Sequence, residues 1–187
     1  MSSKCTAIKN ELREMIAQLE QEHNIKLTNT QKIILSINGP VTPILDVLYG
    51  EVRLFMLEQH FENAEKDIAD SLGIEEGDEI LYRNSVVYKH SRPLIYVISY
   101  IPKSRCSDRV IKKLLEGKTT TGRIMNESGH ETIRVINNIS LIKATPILTE
   151  LFKTTEDMMV REYTMIHKGE IVILTKDIYP LSYFKEG

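Results

Sequence analysis

The chain has 187 residues, of which 42% are hydrophobic and 27% charged, and its formal net charge is −2 at pH 7. This composition is typical of a globular protein, and the length favours a single domain over residues 1–187. The slight negative charge argues against a nucleic-acid partner, because phosphate binding needs an excess of Lys and Arg. Apolar runs fall far short of the roughly 20 residues that cross a bilayer, so no membrane partner is expected.

Targeting and cofactor signals are few. The first residues are polar and lack the apolar core of a signal peptide, which predicts a cytoplasmic protein. Cys5 and Cys106 are not spaced like a disulfide framework or a zinc site, so both are predicted to be reduced, structural residues. Without a phosphate-cradling glycine loop, an HExxH or a CxxC, the sequence predicts no metal and no cofactor.

The N-terminal part of the chain has a helical pattern. Apolar residues recur at three- and four-residue spacing over residues 6–22, which predicts an amphipathic helix packed on the core. We treat residues 1–29 as an N-terminal helical extension. A short apolar stretch, a Gly39-Pro40 breaker and a second helical turn follow, which predicts a helix, loop, helix arrangement before a first strand near Glu51.

Residues 83–102 and 161–180 share one pattern. Each segment opens with Arg, has a turn at about its ninth position, continues with an apolar return arm and closes with Pro. Identity between them is low, so the repeat depends on this pattern of a β-hairpin. Either the hairpin is duplicated, or two unrelated hairpins merely look alike.

Helices are predicted at residues 64–72, 107–117 and 144–152, and a strand at 131–142. A helix therefore precedes each hairpin. Helices that alternate with hairpins favour an antiparallel β-sheet with helices on its face. The predicted fold class is α+β with an internal duplication.

Arg83 is the most informative polar residue, because it opens a strand of otherwise apolar and aromatic character. A guanidinium that enters a sheet core needs an anionic partner. That partner is either the carboxylate of a ligand or a structural Glu or Asp, and the sequence does not decide between them. The loops GPVT and TTTGR are further candidates, since small residues leave backbone N–H groups free for an anion.

The order of these features resembles chorismate pyruvate-lyase and its relatives, including archaeal lyase-like proteins and the UTRA ligand-binding domains of GntR-type regulators. The resemblance covers roughly residues 30–184. It depends on ILSINGPVTPILD, on LGIEEGDEILYRNSVVYKHSRPLIYVISYIP, on LLEGKTTTGRIM followed by HET, and on a second hairpin ending in TKDIYP.

The resemblance implies a chorismate lyase-like fold with a ligand buried beneath two flaps. The flap positions fall near Val41 and Thr121, and Arg83 would hold the ring carboxylate. A glutamate that completes the lyase site corresponds to Lys176, which is a departure from the family pattern. Asp177 follows directly and would face inward if the strand contained a one-residue bulge.

The implied activity is conversion of chorismate to 4-hydroxybenzoate and pyruvate, with Arg83 and either Lys176 or Asp177 as catalytic candidates. The partner would be a small carboxylated molecule. The alternative is a noncatalytic, UTRA-like domain that senses an aromatic or cyclic carboxylate. The oligomeric state is not predicted.

Overall fold

The computed structural model describes residues 2–129 and 131–185, with side chains from residue 11 onward except that of Asn126. The side chain of Cys5 and the whole of His130 lie outside this part. The described α-helices and β-strands, in chain order, are α1 (Ser2–His23), α2 (Asn29–Ser36), α3 (Thr42–Tyr49), β1 (Arg53–Asn63), α4 (Lys66–Leu72), β2 (Glu79–Lys89), β3 (Arg92–Pro102), α5 (Asp108–Leu115), α6 (Thr121–Glu127), β4 (Ile133–Ile142), α7 (Pro146–Phe152), β5 (Met158–His167) and β6 (Glu170–Pro180), and a short 3-10 helix (Lys103–Arg105) lies between β3 and α5.

The strands form one six-stranded antiparallel sheet in the order β1-β2-β3-β6-β5-β4. The predicted α+β class with an antiparallel sheet is confirmed. Each predicted hairpin is present, and the first begins four residues before Arg83, at Glu79. The helices lie on both faces of the sheet.

The duplication extends well beyond the hairpin. The series α2-α3-β1-α4-β2-β3 recurs as α5-α6-β4-α7-β5-β6. In the central pairing, Ile98 of β3 lies opposite Lys176 of β6, and these residues are counterparts when residue 83 is aligned with residue 161 without a gap. A residue paired with its own counterpart marks a local two-fold axis between the two halves.

Irregularities in the sheet repeat as well. The register of β2 and β3 shifts between Val87 and Tyr88, and that of β5 and β6 shifts between their counterparts, Met165 and Ile166. Each edge pair, β1 with β2 and β4 with β5, also has one such shift. Bulges at matching places in both halves show that the similarity is structural, so the alternative of two unrelated hairpins is wrong.

The two faces of the sheet bury different helices. One face packs against α2, α3, α5 and α6, and Leu19 of α1 and Leu27 after it are buried in the same cluster, as the predicted amphipathic helix requires. The other face packs against α4 and α7 in two smaller clusters. Among the described helices, none has both the length and the apolar character needed to cross a membrane.

Candidate carboxylate-binding site

A cavity lies between the sheet and two loops. We call residues 40–42, which lead into α3, the first flap, and residues 119–122, which lead into α6, the second flap. Side chains of one sheet face form the floor, and the flaps form the roof. The lining residues are Pro40, Val41, Thr42, Leu54, Arg83, Ser85, Val87, Ile95, Val97, Ser99, Thr120, Thr121, Gly122, Arg134, Arg161, Tyr163, Met165, Thr175 and Asp177.

Arg83 stands in the floor of this cavity and is only 3% exposed. It donates from Nη1 to Thr121 Oγ1 at 2.6 Å, from Nη2 to the Thr119 carbonyl at 3.4 Å, and from Nε to Gln59 Oε1 at 3.4 Å. All three partners are neutral. The first two belong to the second flap, so Arg83 joins that flap to the sheet.

Burial lowers the pKa of Arg83 to about 10, which leaves the guanidinium charged at neutral pH. A buried charge is costly unless an opposite charge compensates it. No described acid pairs with this guanidinium. The structural Glu or Asp that the sequence allows as a partner is thus not found among the described residues.

Arg161, the counterpart of Arg83, has the opposite environment. Its Nη2 donates to Asp177 Oδ2 at 2.5 Å, and its Nη1 donates to the carbonyls of Ile34 at 3.0 Å and Ile37 at 3.1 Å. The ion pair is almost fully buried. Burial alone would lower the pKa of Arg161, but the Asp177 carboxylate outweighs burial, and the pKa is raised.

Strand register explains this difference. Arg83 lies opposite Ser99 across β2 and β3, whereas Arg161 lies opposite Asp177 across β5 and β6. Ser99 and Asp177 are counterparts in the duplication. The Ser99 hydroxyl is hydrogen-bonded to Thr175 Oγ1 at 3.1 Å and carries no charge to neutralise Arg83.

Arg134 of β4 is a lining residue that the sequence analysis did not select. Its guanidinium carbon lies 4.7 Å from the centroid of the Tyr163 ring, and Arg161 lies over the same ring at 4.9 Å. Its hydrogen-bond partners are the Asn38 carbonyl at 3.5 Å and Met165 Sδ at 3.8 Å, and its Nε is buried without a partner among the described atoms. The only available signal was an arginine within a strand, the same signal that identified Arg83.

The charges of the cavity do not balance. Among its described lining residues, the charged ones are Arg83, Arg134, Arg161 and Asp177. Asp177 neutralises Arg161, which leaves two guanidinium groups without an acid. The cavity thus has the electrostatic character of a site for anions.

The structure brings four of the predicted site residues together, since Val41, Arg83, Thr121 and Asp177 all line the cavity. It does not bring Lys176 there. The Lys176 side chain lies on the opposite face, where Nζ is 2.9 Å from Glu162 Oε2. The expectation that Lys176 occupies the site is therefore corrected in favour of Asp177.

A bulge accounts for this correction. Pairing passes from Ile166–Ile171 to Met165–Ile173, so Val172 is an extra residue on β6. An extra residue in a strand reverses the face that every later residue presents. A count of seven residues from the turn glycine therefore reaches Lys176 on the outside, and the next residue faces the cavity.

Other candidate chemistry is sparse. The described residues include no group of three or more His, Cys, Asp or Glu side chains that could hold a metal ion. Cys106 is a free, half-buried thiol, and burial raises its pKa to about 11, which keeps it protonated and unreactive at neutral pH.

Comparison with known proteins defines the family. The model of the chorismate pyruvate-lyase Rv2949c-like family matches residues 35–185, and the chain belongs to this family. It is 26% identical over 160 residues to the protein named "Putative lyase MJ0807" of Methanocaldococcus jannaschii, an alignment that covers 82% of this chain and 79% of that protein.

Solved structures share the fold at low identity. A GntR-family transcriptional regulator from Bacillus cereus is 19% identical, with a TM-score of 0.60 over 73% of this chain and 96% of the other. The effector domain of PhnF from Mycobacterium smegmatis is 12% identical, with a TM-score of 0.64 over 77% and 90%. The chain therefore shares its fold with these two regulator structures.

Proposed function

We propose that this protein is a chorismate pyruvate-lyase that converts chorismate to 4-hydroxybenzoate and pyruvate in the cytoplasm. The observation that carries the proposal is the buried Arg83 guanidinium, which faces the cavity without an acid partner. A ring carboxylate would supply the missing charge through charge-assisted hydrogen bonds. Membership of the lyase family supports the same assignment.

The reaction asks little of the protein in the way of reactive groups. The C–O bond between the ring and the enolpyruvyl oxygen breaks, and its electron pair leaves with the enol of pyruvate. A ring proton is lost, the ring becomes aromatic, and the enol takes up a proton at its methylene carbon to give pyruvate. Aromatisation supplies much of the driving force, so the enzyme mainly orients the substrate and excludes water.

The cavity contains groups suited to this task. Arg83 would fix the ring carboxylate, and backbone groups near Val41 and Thr121 would close over the ring. Asp177 would lie toward the ring hydroxyl, while its Oδ2 accepts a hydrogen bond from Arg161. Thr121 already contacts Arg83, so ligand binding and flap position would be linked.

The direct test is incubation of the purified protein with chorismate, with 4-hydroxybenzoate measured by chromatography and pyruvate by a coupled assay. We expect both products in equal amounts. Arg83→Met, which removes the charge but keeps most of the bulk, should lower kcat/KM by about 100-fold or more, the scale of a lost buried charge-assisted interaction. Arg109→Met removes an exposed arginine of α5 and should leave kcat/KM unchanged.

Two results would overturn the proposal. Absence of product from a folded wild-type protein would exclude the lyase activity. If 4-hydroxybenzoate nevertheless bound tightly and Arg83→Met abolished that binding, the noncatalytic sensor would replace the enzyme. Product formation that Arg83→Met does not reduce would show that the guanidinium is not the carboxylate anchor.

A further inference from the structure

The second uncompensated charge of the cavity, Arg134, has no assigned role. It lies on the edge strand β4, in the half of the molecule that does not contain Arg83. Its contacts are weak for a guanidinium, since they comprise a long hydrogen bond to a carbonyl, a thioether sulfur and the face of an aromatic ring. The Nε hydrogen is buried without an acceptor among the described atoms. Such a group is available to an anion.

The second flap connects the two free arginines. Thr121 Oγ1 accepts the hydrogen bond from Arg83 Nη1 at 2.6 Å. The next residue, Gly122, lies so near Arg134 that a Cβ atom placed on it would be 3.1 Å from Nη2. Consecutive Cα atoms are about 3.8 Å apart. The two guanidinium groups thus flank the adjacent residues Thr121 and Gly122. One small ring compound with two acid groups can span the distance between them.

We propose that Arg134 binds the second carboxylate of a dicarboxylate ligand whose first carboxylate is bound by Arg83. This inference rests on the proposed function and names the residue that would hold the enolpyruvyl carboxylate of chorismate. Two free positive charges match a dianion. The product 4-hydroxybenzoate has one carboxylate, so it would contact Arg83 and not Arg134.

The proposal predicts a selective defect. Equilibrium binding is measured for two probes, benzene-1,3-dicarboxylate and 4-hydroxybenzoate, on wild type, Arg134→Met and Arg83→Met. Arg134→Met should lower the affinity for the dicarboxylate by about 10- to 100-fold, the range for lost charge-assisted hydrogen bonds. Its affinity for 4-hydroxybenzoate should stay within about 2-fold of wild type. Arg83→Met should lower the affinity for both probes.

Arg134→Lys and Arg109→Met serve as controls. The lysine keeps the charge and should restore part of the dicarboxylate affinity. Loss of the exposed Arg109 charge should leave the affinity for both probes unchanged. A thermal melt confirms that each variant is folded. Equal weakening of both probes by Arg134→Met, or no weakening of either, would overturn the proposal.

A second variant approaches Arg134 from the flap. Gly122 lies in α6, where alanine is compatible with the backbone, so Gly122→Ala acts through its new methyl group, which would press on Nη2. We expect a weaker dicarboxylate complex and an unchanged 4-hydroxybenzoate complex. In Gly39→Ala the new methyl group would meet only the Ile37 side chain, at 3.6 Å, and binding of both probes should match wild type. Loss of 4-hydroxybenzoate affinity in Gly122→Ala would contradict this account.

The inference and the proposed function can fail separately. If wild type turns over chorismate and Arg134→Met leaves kcat/KM unchanged, Arg134 has no part in binding the substrate while the lyase assignment stands. If wild type does not turn over chorismate but Arg134→Met selectively weakens the dicarboxylate, the two-carboxylate site stands and the lyase assignment fails.

Discussion

Each half of the molecule has an arginine at the equivalent position of its hairpin, and the two arginines have different partners. Arg161 is neutralised by Asp177 and caps two carbonyls at the end of α2. Arg83 has only neutral partners, two of them in the second flap. The difference depends on one position of the return arm, which is Asp177 in one half and Ser99 in the other.

This comparison shows how a duplicated fold can separate stability from binding. A guanidinium that a buried acid neutralises has little charge left to attract a ligand carboxylate, and loss of either partner of such a pair is strongly destabilising. The same guanidinium without its acid is a burden on the fold and a strong site for an anion. At this position of the hairpin, the second half thus has a neutralised arginine, and the first half has an arginine whose charge is free for a ligand.

The largest expected effect is on stability. Arg161→Met would leave the Asp177 carboxylate buried and unpaired, and should lower the free energy of unfolding by about 3–5 kcal/mol. Arg83→Met removes a buried charge that has no acid, and should change that free energy by less than about 1 kcal/mol. Urea unfolding followed by circular dichroism measures both, since the chain has no Trp. Equal destabilisation by the two substitutions would contradict the proposed difference.

The next effect is on activity and concerns neighbouring residues of β6. Asp177→Asn keeps the shape of the side chain but removes the carboxylate from the cavity, and should lower kcat by about 10- to 100-fold. Lys176→Ala affects only the outer face, where it removes an ion pair with Glu162, and should leave kcat unchanged. A loss of activity in Lys176→Ala with normal activity in Asp177→Asn would favour Lys176, the other candidate that the sequence offered.

Much of the architecture could be predicted from local patterns. Hairpins, helices and their duplication follow from alternation, turn residues and spacing, which are properties of short segments. Arg83 was identifiable because a charge in an apolar strand is costly wherever the strand lies. Val41 and Thr121 came from the family resemblance, and both line the cavity.

The remaining features depend on tertiary structure. The face that Asp177 presents was set by one bulge at Val172, and a bulge leaves no clear mark in a sequence. The ion pair of Arg161 depends on cross-strand register, which a single strand does not reveal. Arg134 reaches the cavity only because β4 lies beside β5 at the sheet edge, next to a flap that precedes it in the chain.

The measurement that tests the central claim most directly is ligand binding by Ser99→Asp. This change gives Arg83 the acid that Asp177 provides to Arg161, so the first half would acquire the ion pair of the second. We expect a folded protein, stable to urea at least as well as wild type, that binds 4-hydroxybenzoate at least about 10-fold more weakly because its guanidinium is already neutralised. A folded Ser99→Asp variant that binds 4-hydroxybenzoate as tightly as wild type would show that the free charge of Arg83 is not what holds the ligand.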